Sequence, residues 1–141
     1  MRLHQERQMT VNHFLLLYLT YNYKELMKKA YHLSQCSTCQ RILNKVNWKG
    51  QLQDIRRQKI SQEQLDQMAN MSGSYENLFS RRAMKYKSKG LKYKNLSEKD
   101  YRQLILEEDT FLKRPVFIVN DKIFIGNSKK TIEALSSALN E

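Results

Sequence analysis

A chain of 141 residues with 25 lysines and arginines against 14 acids, a formal charge of +11, fits one domain with a real core and argues against two. That charge permits contact with nucleic acid, acidic proteins or small oxyanions without choosing among them. The only two cysteines, Cys36 and Cys39, form a single CxxC, which excludes a wider disulfide framework and suits a reducing cytoplasm.

The first 26 residues stand apart. The apolar run His13–Tyr21 follows Arg2 and Arg7 as in a signal peptide. It is too short to span a bilayer, and Tyr21-Asn22-Tyr23-Lys24 offers no small-residue cleavage site. Residues 1–26 therefore read as an N-terminal extension, with Met27 as an alternative start and a docking helix as the other reading. Residues 27–141 read as the domain proper, with no membrane segment.

Ala30–Ser34 predicts a short strand and Gln40–Val46 the start of a helix, so the CxxC sits at their junction. A first cysteine over a helix N-terminus faces unpaired N–H groups and the positive end of the dipole, which favour thiolate, the form that attacks disulfides, oxyanions and electrophiles. A structural bridge between Cys36 and Cys39 would close too small a loop to stabilise much. A closed zinc site would need two further ligands from His4, His13 and His32, so no metal is expected. His32, four residues before Cys36, is expected to be structural. Thr38, between the cysteines, has a hydroxyl within local reach of a thiolate.

Trp48-Lys49-Gly50 marks a break before a second strand over Leu52–Ile55. Ser61 and Gln64 form a capping box that opens a helix with Leu65, Met68 and Met71 on one face. Ser72-Gly73-Ser74 ends it, and Tyr75, Leu78 and Phe79 predict another helix fading by Lys85. Ser97 and Asp100 begin a third, carrying Tyr101, Leu104 and Ile105. Val116–Val119 and Lys122–Ile125 flank Asn120-Asp121 as a hairpin, and Ser128 caps a last helix with Ile132, Leu135 and Leu139. The order β-α-β, helical block, β-β-α assembles most compactly as an α/β protein: a small mixed thioredoxin-like sheet with a helical insertion. Pro115, the only proline, opens the first hairpin strand. It reads equally as an ordinary strand start and as a cis-proline loop facing the CxxC.

Arg81, Arg82, Lys85, Lys87, Lys89, Lys92 and Lys94 run without an intervening acid, with Tyr86 and Tyr93 interleaved. A phosphate-tracking patch with stacking rings is one reading, a solvated basic surface the other. A surface for an acidic protein and a contribution of Arg81 or Arg82 to anion binding near Cys36 also stay open.

In order and spacing, several pieces resemble the arsenate reductase/Spx family over roughly residues 27–141. They are Tyr31–Gln40 with the CxxC, Leu52–Ile55, Tyr86 with Gly90-Leu91, Lys113–Val119 and Ile125-Gly126. The resemblance implies Cys36 as the reactive thiol, a cis peptide before Pro115, and Arg114 beside Cys36 as a thiolate-favouring anion clamp. It implies a small oxyanion or thiol substrate, no bound cofactor, and glutathione, glutaredoxin or thioredoxin as reductant and redox partner for a monomeric protein. In Spx-type members the CxxC is instead a redox switch and the protein binds RNA polymerase.

Two departures bear on activity. Glutathione-linked reductases surround the oxyanion with three arginines. Here the last of these positions falls near Gly126 and the first near Ser80, beside Arg81 and Arg82. Those enzymes often have a lone cysteine, whereas Cys39 is a built-in resolving thiol able to close a disulfide with Cys36.

Overall fold

The computed structural model describes residues 12–19 and 27–141. The other N-terminal residues lie outside the described part, and with them most of the extension expected over 1–26. Residues 12–19 form a helix, α1, whose apolar side chains Phe14 to Leu19 are all more than half exposed. No helix among the described residues is long and apolar enough to cross a membrane.

The domain follows the element order expected from its hydrophobic pattern. Strand β1 (Lys29–His32) leads into α2 (Ser37–Lys45) and β2 (Gln51–Asp54). Helices α3 (Gln62–Ser72), α4 (Met84–Ser88) and α5 (Glu98–Glu107) form the insertion, before β3 (Val116–Val119), β4 (Lys122–Ile125) and α6 (Lys129–Leu139). The sheet order is β2-β1-β3-β4, with β1 parallel to β2 and antiparallel to β3, and β3 antiparallel to β4. A parallel β1–β2 pair requires a crossover, and α2 supplies it.

Period-two alternation sorts side chains onto two faces. Tyr31, Val116 and Ile118 pack with Leu65, Met68, Phe79, Tyr101 and Ile105 of the helical block. Ala30, Phe117 and Val119 pack on the other face with Ile42 of α2 and Ile132 and Leu135 of α6. Central strand β3 is buried throughout, as a strand covered on both faces must be. Buried Gln53 is satisfied by exchanging amide hydrogen bonds with Gln64, at 2.8 and 3.1 Å, which ties β2 to α3. Gln64 also completes the capping box with Ser61, so one side chain fixes both the start of α3 and its seat against the sheet.

The break before β2 is a close approach. A Cβ on Gly50 would stand 2.5 Å from the Lys28 carbonyl oxygen and 2.7 Å from the Trp48 ring, so only glycine fits. Trp48 packs edge-on against Phe117, with ring centroids 5.0 Å apart.

One predicted element is replaced. No helix runs from Tyr75 to Lys85. A 3-10 turn over Glu76–Leu78 gives way to extended chain at Phe79, and the five-residue α4 begins only at Met84. Tertiary packing overrides local pattern here. Phe79 is fully buried, stacked on Phe111 at 5.1 Å and set against Tyr101 and Tyr86 at 4.9 and 6.0 Å. Its backbone pairs with Leu112 across Ser80 N–H to the Phe111 carbonyl (2.7 Å) and Lys113 N–H to the Leu78 carbonyl (2.8 Å). An α-helical backbone there would forfeit that bridge and swing Phe79 out of its stack.

Candidate thiol active site

The sequence places Cys36 as N-cap of α2, with extended backbone (φ −87°, ψ 107°) that ends the β1 loop and starts the helix. In this role its sulfur, rather than the usual Ser or Asp oxygen, accepts a hydrogen bond from the Cys39 N–H, at 3.5 Å. The preceding loop is held from both sides. Cys36 N–H donates to the Leu33 carbonyl at 3.1 Å, and Ser34 N–H to Asp54 Oδ2 at the end of β2, at 3.2 Å. Asp54 also accepts from Arg56 N–H at 3.0 Å, and the Ser34 hydroxyl first, then the N–H groups of Arg56, Ser34 and Arg57, hold its carboxyl down at about 2.

The two thiols are free and unlike. Cys36 is half-buried, Cys39 fully buried. Burial opposes ionisation of Cys36. It is outweighed by the N–H and thiol of Cys39, the charge of Arg114 and the Thr38 N–H, which together hold the Cys36 thiol below its ordinary 9.0. Burial pushes Cys39 up to about 11, reinforced by its hydrogen bond to Cys36 and the charge there. The first cysteine is thus the more readily ionised of the two, and the second the one that holds its proton more tightly.

Cys36 opens on a cleft of about 600 Å³ built by four segments. Cys36 and Thr38 come from α2; Phe79 to Arg82 from the loop before α4; Leu112 to Arg114 from the approach to β3; Ile125 to Ser128 from the turn between β4 and α6. The Arg114–Pro115 peptide is cis, and the Pro115 carbonyl accepts from Gly126 N–H at 2.9 Å, tying the approach to β3 to the turn after β4. Gly126 has φ +84°, a left-handed conformation that suits glycine, so the position near which the third reductase arginine falls is here a backbone turn. Arg81, Arg82, Lys113 and Arg114 line the cleft, and no carboxylate does so among the described residues.

These cations differ in availability. Arg81 is committed: its guanidinium donates to Glu76 at 2.7 Å and to the Tyr101 hydroxyl at 3.1 Å, and lies 5.8 Å from the Tyr101 ring centroid. Arg82, Lys113 and Arg114 form no ion pair among the described residues. Lys113, Asn127 and Ser128 are cleft residues that the sequence reading passed over. Ser128 was legible only as the cap of α6, which it is, accepting from Thr131 N–H at 3.1 Å. His32 is away from this chemistry: it is buried, with Nδ1 3.4 Å from Gln40 Nε2. No cluster of His, Cys, Asp and Glu able to hold a metal occurs among the described residues.

The sequence model of the ArsC family matches residues 31–135, from β1 into α6 and across every segment of the cleft. The chain belongs to the ArsC family. Solved structures agree on the thioredoxin-like fold that the family shares. The arsenate reductase from Vibrio cholerae superposes with a TM-score of 0.64 at 18% identity, covering 77% of this chain and 94% of that one. An arsenate reductase (ArsC) related protein from Brucella melitensis gives 0.60 at 20% identity, covering 76% and 92%. The SACOL0876 protein of Staphylococcus aureus gives 0.62 at 24% identity, covering 77% and 97%. A search of curated proteins finds no match. The ArsC domain thus accounts for nearly the full length of these relatives, and α1 is additional to it.

Proposed function

We propose that this ArsC-family protein is a thiol–disulfide oxidoreductase of arsenate reductase type, with Cys36 as nucleophile, Cys39 as resolving thiol and Arg114 as anion clamp. The observation that carries the reading is a half-buried, ionisation-prone thiol at the mouth of a cation-lined, acid-free cleft. A tetrahedral oxyanion entering it meets Arg114 beside the sulfur, with Arg82 and Lys113 on the other walls and Thr38 at the helix end. Arg114 therefore serves twice, lowering the thiol's affinity for its proton and holding the anion.

The order of steps follows from the two thiols. The Cys36 thiolate attacks the central atom of the oxyanion, and a hydroxyl leaves as water after taking up a proton. This removes the negative charge that adds to burial in raising Cys39, while Arg114, which favours Cys39 ionisation, remains. Cys39, or a thiol from outside such as glutathione, then attacks the Cys36 sulfur. The bond from sulfur to the oxyanion's central atom breaks with its electron pair left on that atom. That atom is reduced by two electrons, arsenic(V) to arsenic(III) for arsenate, and the two sulfurs become a disulfide. A glutaredoxin- or thioredoxin-class dithiol would restore the reduced pair.

The test is NADPH consumption with glutathione, glutaredoxin and glutathione reductase, with and without arsenate. Wild type should turn over only with arsenate, and Cys36→Ser should fall to background. Absence of arsenate-dependent turnover in wild type would refute the reductase reading. If Cys36 and Cys39 still formed a reversible disulfide, the Spx-type reading would replace it: a redox-switched regulator, with RNA polymerase as the partner to test. The thiol assignment has its own measurement. Iodoacetamide should label Cys36 at a pH below the range of a free thiol and leave Cys39 unlabelled until the solution approaches its value of about 11. Labelling of Cys39 first would reverse the roles.

A further inference from the structure

Beyond the cleft, the most singular surface is the segment from Arg82 to Lys94. It is firmly seated from beneath. Tyr86 packs edge-on against Phe79 at 6.0 Å, Leu91 is 4% exposed, and Gly90 in a left-handed conformation (φ +64°) turns the chain between α4 and the 3-10 turn Leu91–Tyr93. With those two residues facing inward, the charges face out. Lys85 pairs with Glu108, but Arg82, Lys87, Lys89, Lys92 and Lys94 form no ion pair among the described residues.

Among these charges, between Lys92 and Lys94, stands Tyr93, 89% exposed. A tyrosine so exposed adds little to packing, and its two ring faces stay open to solvent. The thiol chemistry has no use for it.

We infer that residues 82–94 form a binding surface for single-stranded nucleic acid, with Tyr93 as the stacking platform for a base and the lysines on the flanking phosphates. Long flexible stems let the lysines follow a backbone of alternating phosphates, and a ring face accepts any base, so the surface is sequence-tolerant. An acidic protein would satisfy the lysines but leave the ring without a partner. A single segment of this length is also small against the 20–30 residues a side that a stable protein interface uses. The inference stands apart from the oxidoreductase reading: it uses neither cysteine, and Arg82 is the residue it shares with the cleft.

The experiment is fluorescence anisotropy of the full chain with a labelled single-stranded DNA of about 15 nucleotides, repeated over a salt series. With about five phosphates neutralised, log K should fall with log salt at a slope near −3.5, a loss of roughly a hundredfold between 50 and 200 mM. Tyr93→Ala should weaken binding by roughly tenfold at fixed salt, and Tyr93→Trp should restore it with quenched indole fluorescence. The site is exposed, so neither change threatens the fold. Lys87→Ala with Lys89→Ala should flatten the salt slope. The same charge removed at Lys45 and Lys49, at the far end of α2 from Cys36, should leave it unchanged. No binding at 50 mM salt would overturn the inference. So would affinity indifferent to Tyr93, which marks the surface as a simple ion exchanger. Tighter binding of polyglutamate than of DNA would overturn it in favour of an acidic protein partner.

Discussion

The two long walls of the cleft are built on different principles. The wall carrying Cys36 and Arg114 grows from the ends of β1 and β3, and its parts are placed by backbone: a helix cap, a cis peptide and an antiparallel strand pair. The opposite wall, Ser80 to Arg82, has no regular structure of its own and is placed by one buried ring, Phe79, and one backbone bridge to Leu112. The surroundings of Cys36 are thus set by the sheet, and the reach and charge of the cleft by a loop clasped onto it. A change in the first wall should abolish chemistry in a stable protein. A change in the second should alter stability and substrate affinity while sparing the thiol.

The largest expected effect tests the clasp. Phe79→Ala removes a ring packed among Phe111, Tyr101 and Tyr86 and should cost about 3–5 kcal/mol of stability in urea denaturation. Phe79→Leu, which keeps much of the volume, should cost less. In that folded variant Cys36 should be alkylated at the wild-type rate while KM for the anion rises. A slowed Cys36 would show that the two walls are not separable.

Next comes the first wall. Arg114→Ala should lower kcat roughly a hundredfold, the scale of losing one donor to a developing oxyanion, and move Cys36 alkylation to higher pH. Arg114→Lys should recover the charge effect on the thiol better than it recovers turnover, because an ammonium lacks the planar fork. Equal recovery of both would remove the clamp from the argument and leave only the charge.

The difference between the walls also explains what could be read from sequence. Spacing and periodicity were enough for β1, α2, β3, β4 and the Ser61–Gln64 capping box, since each is a local choice written in neighbouring residues. Tyr75 to Lys85 had helical spacing too, yet Phe79 pairs with Leu112 and stacks on Phe111, residues more than thirty positions away, and no local pattern announces such partners. The cleft inherits that gap. Cys36 and Arg114 could be named because motif and resemblance marked them. Lys113 and Asn127 could not, because only the packed loops bring them to the same opening. Arg81 and Arg82, adjacent and chemically alike, were inseparable on the page. Glu76 and Tyr101 tell them apart in the fold.

That adjacent pair gives a sharper test within the second wall. Arg82→Ala should raise KM for the anion by roughly tenfold, about 1.4 kcal/mol of binding, with kcat and stability little changed. Arg81→Ala should do the reverse, costing well under 1 kcal/mol of stability from an exposed pair and leaving KM within about twofold. A larger KM effect at Arg81 would mean that its bond to Glu76 gives way when the anion enters.

The smallest effect concerns the support behind the first wall. Asp54 accepts from Ser34 N–H and so steadies the loop that delivers Cys36. Its folded value of about 2 lies below the ordinary 3.8, chiefly through the hydrogen bonding of Ser34. Its contribution is therefore fully present above the unfolded value and is lost as pH falls through the folded one. Wild type should lose about 1 kcal/mol of stability between pH 4 and pH 2 through this group, the net worth of a solvent-screened hydrogen bond. Asp54→Asn should lack that component, so the gap between the two proteins should narrow as pH falls. A gap constant with pH would mean that Asp54 holds the loop by shape rather than by charge. The loop before Cys36 would then be as dependent on packing as the wall across from it.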